Sequence, residues 1–266
     1  MPSYAIIGAS RGIGLEFLKQ LSADPKNTVF GIARNPAGSP KLASINAANV
    51  HLLKADLTDR KSLDSAAAEV SKVTGGSLDV LINNAALLSS GKEQQSLGAF
   101  GPDEQELLAE GFREAFNVNV IGVVNSINAF LPLLKKGSLK KVITLSTGIA
   151  DLDFTLKSEF ALSPAYCASK AALNMVIAKY AVEYKSDGIA FLAISPGVVI
   201  TSEAPPTPED LEVFKKLMVS FRKDYPDWKG PITPEESITA MRKVIDGFTI
   251  EESGQFLSHW GNKRWL

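Results

Sequence analysis

The sequence predicts an α/β fold of the doubly wound kind, with one open, mostly parallel sheet of about seven strands and helices on both faces. Three observations carry this. Short apolar runs alternate with longer amphipathic stretches. The runs are nearly continuous in apolar residues, as strands buried on both faces must be. A glycine-rich turn links the first run to the first amphipathic stretch.

The apolar runs at residues 4–8, 28–33, 50–55, 80–83, 141–145, 189–194 and 255–257 read as strands. The stretches at 13–22, 41–47, 62–73, 105–135, 164–185, 208–223 and 234–248 read as helices. No linker rich in Pro, Gly or Ser divides the chain, and no repeat of solenoid length appears. Residues 1–266 are therefore expected to form one domain. Two irregular stretches, 87–103 and 201–208, each follow a predicted strand. Ligands of open α/β sheets bind beyond the carboxyl ends of strands, so both stretches are candidates to line a site. Residues 201–228 are expected to act as a substrate loop or lid within the domain.

Composition excludes several classes. A net charge of −1 gives no reason to expect nucleic acid or an anionic membrane as partner. The lone cysteine, Cys167, precludes an intrachain disulfide and suits a reducing, cytoplasmic setting. The N-terminal apolar run is too short for a signal peptide or a membrane span. His51 and His259 are the only histidines, and no cluster of metal ligands is visible, so no metal is expected.

Gly8-Ala9-Ser10-Arg11-Gly12-Ile13-Gly14 joins the first strand to the first helix. Gly8 permits the tight turn, Gly12 lets backbone approach a pyrophosphate, and Gly14 lets helix and strand pack closely. The helix N-terminus favours the negative charge. The same residues also read G-x-S-x-G, the nucleophile elbow of serine hydrolases. That reading would need His259 and an acid such as Asp246, and it leaves the remaining glycines unexplained. The second strand ends Ile32-Ala33-Arg34-Asn35, without the acid that holds the ribose hydroxyls of NAD. Arg34, helped by Arg11, would attract a 2′-phosphate through its fork of donors. NADP(H) is therefore the expected cofactor.

Tyr166 and Lys170 stand four residues apart in a predicted helix and so share a face. An ammonium beside a phenol favours the phenolate, and a phenol tuned in this way can exchange a proton with a carbonyl oxygen as hydride moves. Taken alone, this spacing is common.

Together with its companions it is not. The chain resembles the short-chain dehydrogenase/reductase family, in its standard-length single-domain branch, over nearly its whole length. The motifs are the glycine turn, Asp56-Leu57, Asn83-Asn84-Ala85, Asn119-Val120-Ile121-Gly122, Tyr166-Cys167-Ala168-Ser169-Lys170 and Pro196-Gly197-Val198-Val199-Ile200-Thr201, in the family's order. The resemblance implies a Rossmann-type fold and a carbonyl reductase that turns a ketone or aldehyde into an alcohol. It makes Tyr166 the catalytic acid/base, and Lys170 the residue that tunes Tyr166 and holds the nicotinamide ribose. Asn119 would hold a water that links Lys170 to solvent. Asp56 and Leu57 would meet the adenine, and Asn84 would lie along the dinucleotide. Val199 and Thr201 would hold the nicotinamide carboxamide. The family's long helices pair subunits, so a homodimer or homotetramer is expected.

The chain departs from the family's pattern at three places. The catalytic serine falls on Thr147 by counting from the fifth strand, with Ser146 one place earlier, and neighbours on extended chain point opposite ways. The segment from Thr147 to Tyr166 is longer than usual. Ala86 stands where the family has a glycine, which would strain the backbone if φ there were positive. Phe154, Phe160, Phe214, Leu217, Met218 and Phe221 are expected to make either an apolar substrate pocket under a cover or a helix packed on a core. An alcohol dehydrogenase working in the oxidative direction, and a dinucleotide-binding regulator without turnover, are the competing readings.

Overall fold

The strands β1 (Ser3–Ile7), β2 (Thr28–Ala33), β3 (Val50–Lys54), β4 (Val80–Asn83), β5 (Lys141–Leu145), β6 (Ala190–Ser195) and β7 (Phe256–Ser258) form one sheet in the order β3-β2-β1-β4-β5-β6-β7. Every pairing is parallel. This computed structural model describes residues 1–88, 91–202, 205 and 207–266, apart from the side chain of Glu209. Ser89, Ser90, Glu203, Ala204 and Pro206, all from the two irregular stretches, lie outside the described residues.

The sheet is parallel and central because its strands bring no polar face. All residues of β4 and β6 are buried. Helices α1 (Gly12–Ser22), α2 (Pro40–Ala43) and α9 (Pro234–Gly247) cover one face, where Leu18, Leu42 and Met241 pack on the strands. Helices α3 (Arg60–Thr74), α5 (Val123–Leu134) and α7 (Pro164–Glu183) cover the other through Leu63, Phe130 and Leu173. The strand order reverses between β1 and β4, and Ile7 lies level with Ile32 and Asn83. The crevice of a doubly wound fold opens at the carboxyl ends of such strands.

Local chemistry sets the element ends. Asp59 caps α3 by accepting from the Lys61 amide, and Gly75 ends that helix in the left-handed region. Thr233 and Glu236 form a reciprocal capping box ahead of α9, with Pro234 in its first turn. Thr207 and Asp210 do the same for α8 (Pro208–Asp224).

The helix expected over 105–135 is two helices, α4 (Gln105–Phe116) and α5, joined by a π-helical turn over Asn117–Gly122. Asn117, Asn119 and Gly122 are weak helix formers, and Asn119 is drawn out of the regular ladder by side-chain partners described below. By length and composition the run Pro102–Leu134 could cross a membrane, but half of its apolar window is buried in the protein. That suits a core helix of the sheet. The long segment before Tyr166 contains an unforeseen short helix, α6 (Leu152–Ser158), capped by Asp151. Ala86 is not among the described non-glycine residues with positive φ, so the alanine costs no strain.

Phe154, Phe160, Phe221 and Trp265 make a small separate core at the carboxyl edge of β5–β7, against Cys167, Val198 and Leu217. Phe154 and Phe160 each lie about 5 Å, ring to ring, from Phe221 (5.1 and 5.2 Å). These phenylalanines therefore fill space, and the packed-helix alternative holds for Phe221. Phe214 stays exposed.

Candidate active site

The glycine turn closes the carboxyl end of β1. Gly8 has φ +88°, and a Cβ there would stand 2.8 Å from Ala85. Gly14 has no room for a side chain, because a Cβ would meet the Gly8 carbonyl oxygen at 2.2 Å and Asn84 Nδ2 at 2.5 Å. Asn84 Nδ2 donates to the Gly8 carbonyl (2.8 Å) and ties the turn to the end of β4. The N-terminus of α1 carries no side-chain cap. Its first amides are thus left for an anion, which is how such turns hold a pyrophosphate. Ser10 and Ile13 flank this turn, half-buried, and Arg11 is exposed. A Cβ on Gly12 would lie 3.1 Å from Thr201, so the glycine turn and the segment after β6 face each other across the crevice.

Arg34 is exposed at the end of β2. Asp56 accepts from the amide and hydroxyl of Thr58 (2.9 and 2.8 Å). These bonds, led by the Thr58 amide and aided by the charge of Arg34, hold its carboxyl below the usual range. Arg34 and Asp56 thus share one rim of the crevice. The Leu57 side chain is buried against Gly122, where a Cβ would come within 2.7 Å of Leu57 Cγ.

The chain leaves β5 fully extended, so Ser146 and Thr147 diverge. Ser146 is buried and its hydroxyl is spent on Asn174 Oδ1 (2.6 Å). The Thr147 side chain lies close enough to the Tyr166 phenol to lower its pKa. Of the two candidate hydroxyls, Thr147 is the one placed beside the phenol.

Helix α7 is started by Ser163, held in the left-handed region at φ 54°, and by Pro164 in the first turn. Ser163 is fixed from both sides: its amide donates to the Gln94 carbonyl and its own carbonyl accepts from Cys167. This aims Tyr166 at Thr147, one turn ahead of Lys170. Lys170 is buried and its Nζ donates to the Leu145 carbonyl at 2.7 Å. Burial brings its pKa down to about 7. Burial pushes the Tyr166 phenol above its ordinary value near 10; the neighbouring Cys167 adds to this and the Thr147 side chain opposes it. Lys170 is not among the groups that shift the Tyr166 phenol. The desolvated lysine points its ammonium at a carbonyl and has lost much of its charge near neutral pH.

Asn119 sits in the π turn, fully buried. Its Oδ1 accepts from the Leu87 amide (2.7 Å), and its Nδ2 donates to the Leu87 carbonyl (3.0 Å) and to Ser169 Oγ (3.0 Å). Both amide hydrogens are therefore committed. The side chain works as a tie between the loop after β4 and α7. Ser169, Asn174 and the Leu145 carbonyl were not singled out from the sequence. The four-residue spacing of Tyr166, Lys170 and Asn174 on one helix face was the available signal.

The hydrolase constellation does not assemble. Asp246 lies near Tyr4 and Lys141, which begin strands, whereas Ser10 and His259 follow the carboxyl ends of theirs. His51 stacks on Phe30 (5.1 Å) and serves packing. No group of potential metal ligands occurs among the described residues.

Known proteins resemble this chain in sequence and fold. The model of the short chain dehydrogenase family matches residues 4–212. The chain belongs to the short-chain dehydrogenase/reductase family. Among its relatives in this family, a short chain dehydrogenase, virK, of Hypocrea virens is 43% identical over the full length of both chains. The short-chain dehydrogenase/reductase atnB of an Arthrinium species is also 43% identical, again over all of both chains. Among solved structures, an NADPH-bound carbonyl reductase from chicken fatty liver superposes with a TM-score of 0.76 at 28% identity, covering 98% of each chain. Carbonyl reductase Sniffer of D. melanogaster, at 22% identity and TM-score 0.78, shares the fold. As a short-chain dehydrogenase/reductase this chain is an oxidoreductase with a Rossmann-like parallel sheet.

Proposed function

We propose that this oxidoreductase reduces a ketone or aldehyde to an alcohol, with NADPH as the hydride donor. The observation that carries the reading is the Tyr166 phenol, beside Thr147 and one helical turn from buried Lys170, at the carboxyl edge of the sheet. The NADPH-bound state of the similar chicken reductase supports the cofactor, as does the absence of an acid after β2.

The glycine turn and the uncapped start of α1 would hold the pyrophosphate. Arg34 and Arg11 would meet the 2′-phosphate, Asp56 the adenine side, and Val199 and Thr201 the carboxamide. The bound nicotinamide supplies hydride to the carbonyl carbon. Tyr166 and Thr147 would polarise the carbonyl oxygen, and the Tyr166 phenol would give it a proton. Lys170 would donate to the hydroxyls of the nicotinamide ribose, and negative charge developing on the Tyr166 oxygen would favour its protonated form. The exposed apolar residues Leu107, Ile121, Met175 and Val182 on α4, the π turn and α7 fit pairing with a second copy.

Consumption of NADPH with a panel of ketones and aldehydes, followed at the nicotinamide absorbance, tests the reading. Turnover that Tyr166→Phe lowers by at least about 100-fold supports it. Turnover that survives in Tyr166→Phe, or a panel with no turnover from a protein that binds NADPH, would favour the regulatory reading.

A further inference from the structure

Successive residues at the end of β5 meet helix α7 one after another. The Leu145 carbonyl accepts from Lys170 Nζ at 2.7 Å. Ser146 Oγ donates to Asn174 Oδ1 at 2.6 Å. The Thr147 side chain lies beside the Tyr166 phenol. Tyr166, Lys170 and Asn174 themselves follow one another at four-residue intervals along α7. The two elements that carry the catalytic groups are thus stitched together at Leu145, Ser146 and Thr147.

These contacts differ in what the reaction asks of them. Under the reading above, a substrate oxygen enters between Thr147 and Tyr166, and Lys170 turns to the nicotinamide ribose. Both contacts then change. The bond between Ser146 and Asn174 has no part in holding either molecule, so it can persist throughout. The end of β5 is fixed separately by β6, since the Ser146 amide donates to the Ile194 carbonyl (2.7 Å) and the Gly148 amide to Ser195 Oγ (3.0 Å). What those bonds leave open is the position of α7 along the strand.

Asn174 is half-buried within α7, two turns past Tyr166. Asparagine is among the weaker helix formers, so its place inside a helix follows from its partner rather than from local preference. That partner needs it in turn: Ser146 is buried, and without Asn174 its hydroxyl would lose its acceptor.

We propose that Asn174 is a positioning residue for the reduction: through Ser146 it keeps α7 in register with the end of β5, and so aims Lys170 and Thr147 at the reacting groups. Its kinetic consequence rests on the proposed reduction, whereas the register exists without dinucleotide or substrate. Asn174 itself touches no reacting atom.

The test uses Asn174→Leu, which matches the side chain in size and is a better helix former. Ser146→Ala removes the same bond from its other end. At saturating NADPH, each is expected to lower kcat about three- to tenfold, the range one hydrogen bond is worth. KM for NADPH stays within about twofold. The double variant is no slower than either single one, because both remove one shared bond. The second readout needs neither dinucleotide nor substrate: acetylation of each lysine by acetic anhydride, followed by mass spectrometry. Lys170 is expected to react at least about threefold faster in both variants, because its carbonyl partner has shifted. Lys141 is the control; it begins the same strand, is half-buried, and donates to the Ile245 carbonyl at 2.7 Å. An unchanged Lys170 rate overturns the proposal, as does a rise that Lys141 shares, which would mean general loosening. Losses of kcat that multiply in the double variant, or variants as fast as an active parent, also overturn it. Faster labelling of Lys170 alone, in proteins of which none, the parent included, reduces a carbonyl, would uphold the register and sink the proposed reduction instead.

Discussion

A one-residue shift separates the two hydroxyls after β5, and the extended backbone resolves them. Thr147→Val is expected to lower kcat by about 100-fold or more while leaving NADPH affinity within about twofold, because its partner is the proton donor. Ser146→Ala, which removes only the tie to Asn174, is expected to cost less than about tenfold. Steady-state kinetics on the two variants check this, and a larger loss in Ser146→Ala would reverse the assignment. Lys170 makes a prediction about stability. Its folded pKa, about 7, lies below its ordinary 10.5. Between these values the unfolded chain holds a proton that the folded chain has released, so stability rises with pH across that window and is lowest below it. Lys170→Met should remove this slope and raise the melting temperature at pH 7 by at least about 2 °C. Melting curves of the cofactor-free protein from pH 7 to 10 would show it; a slope unchanged in the variant would refute it. The pairing of Tyr166 with Lys170 was legible as a helical spacing. The preference of Lys170 for the Leu145 carbonyl was not, because it depends on where β5 ends relative to α7.

Elements were read with most success where burial was two-sided. β2, β4 and β5 occupy the residues that their apolar runs indicated, and the other strands differ by a residue or so. Periodicity does not reveal a π turn, since the apolar stripe of α4 and α5 continues through it. Only Asn119, with tertiary partners on Leu87 and Ser169, explains the break. α6 escaped notice because seven residues are too few to show a helical period. The π turn also seats Leu57, and Gly122 makes room for it. Gly122→Ala is expected to cost about 1–3 kcal/mol through overpacking, measured by urea unfolding. A variant as stable as the parent would mean that Leu57 shifts freely and that the contact does not fix this edge of the crevice.

At the scale of the whole molecule, the switch in strand order brings together parts far apart in sequence. Gly12 meets Thr201, and Asn84 holds Gly8. The motif order in the sequence announced this crevice, because the glycine turn, Asp56-Leu57, Asn84-Ala85 and the segment from Pro196 to Thr201 each follow a strand at its carboxyl end. The wall beyond it was less legible. Phe154, Phe160 and Phe221 close on one another, and the tail brings in Trp265, contacts set by loops without a periodic signature. Pairing through α4 and α7 predicts a sedimentation coefficient of a dimer or tetramer, lost when Met175 and Val182 are both changed to Lys; a monomeric parent would exclude it. Arg34 and the glycine turn are proposed to make an NADP(H) site. Fluorescence titration with NADPH and NADH, repeated on Arg34→Ala, tests it most directly. Tight NADPH binding is expected, weakened at least about tenfold in the variant by loss of a charge-assisted contact, with NADH weak throughout. Failure to bind either dinucleotide, or NADH binding as tightly as NADPH, would contradict it.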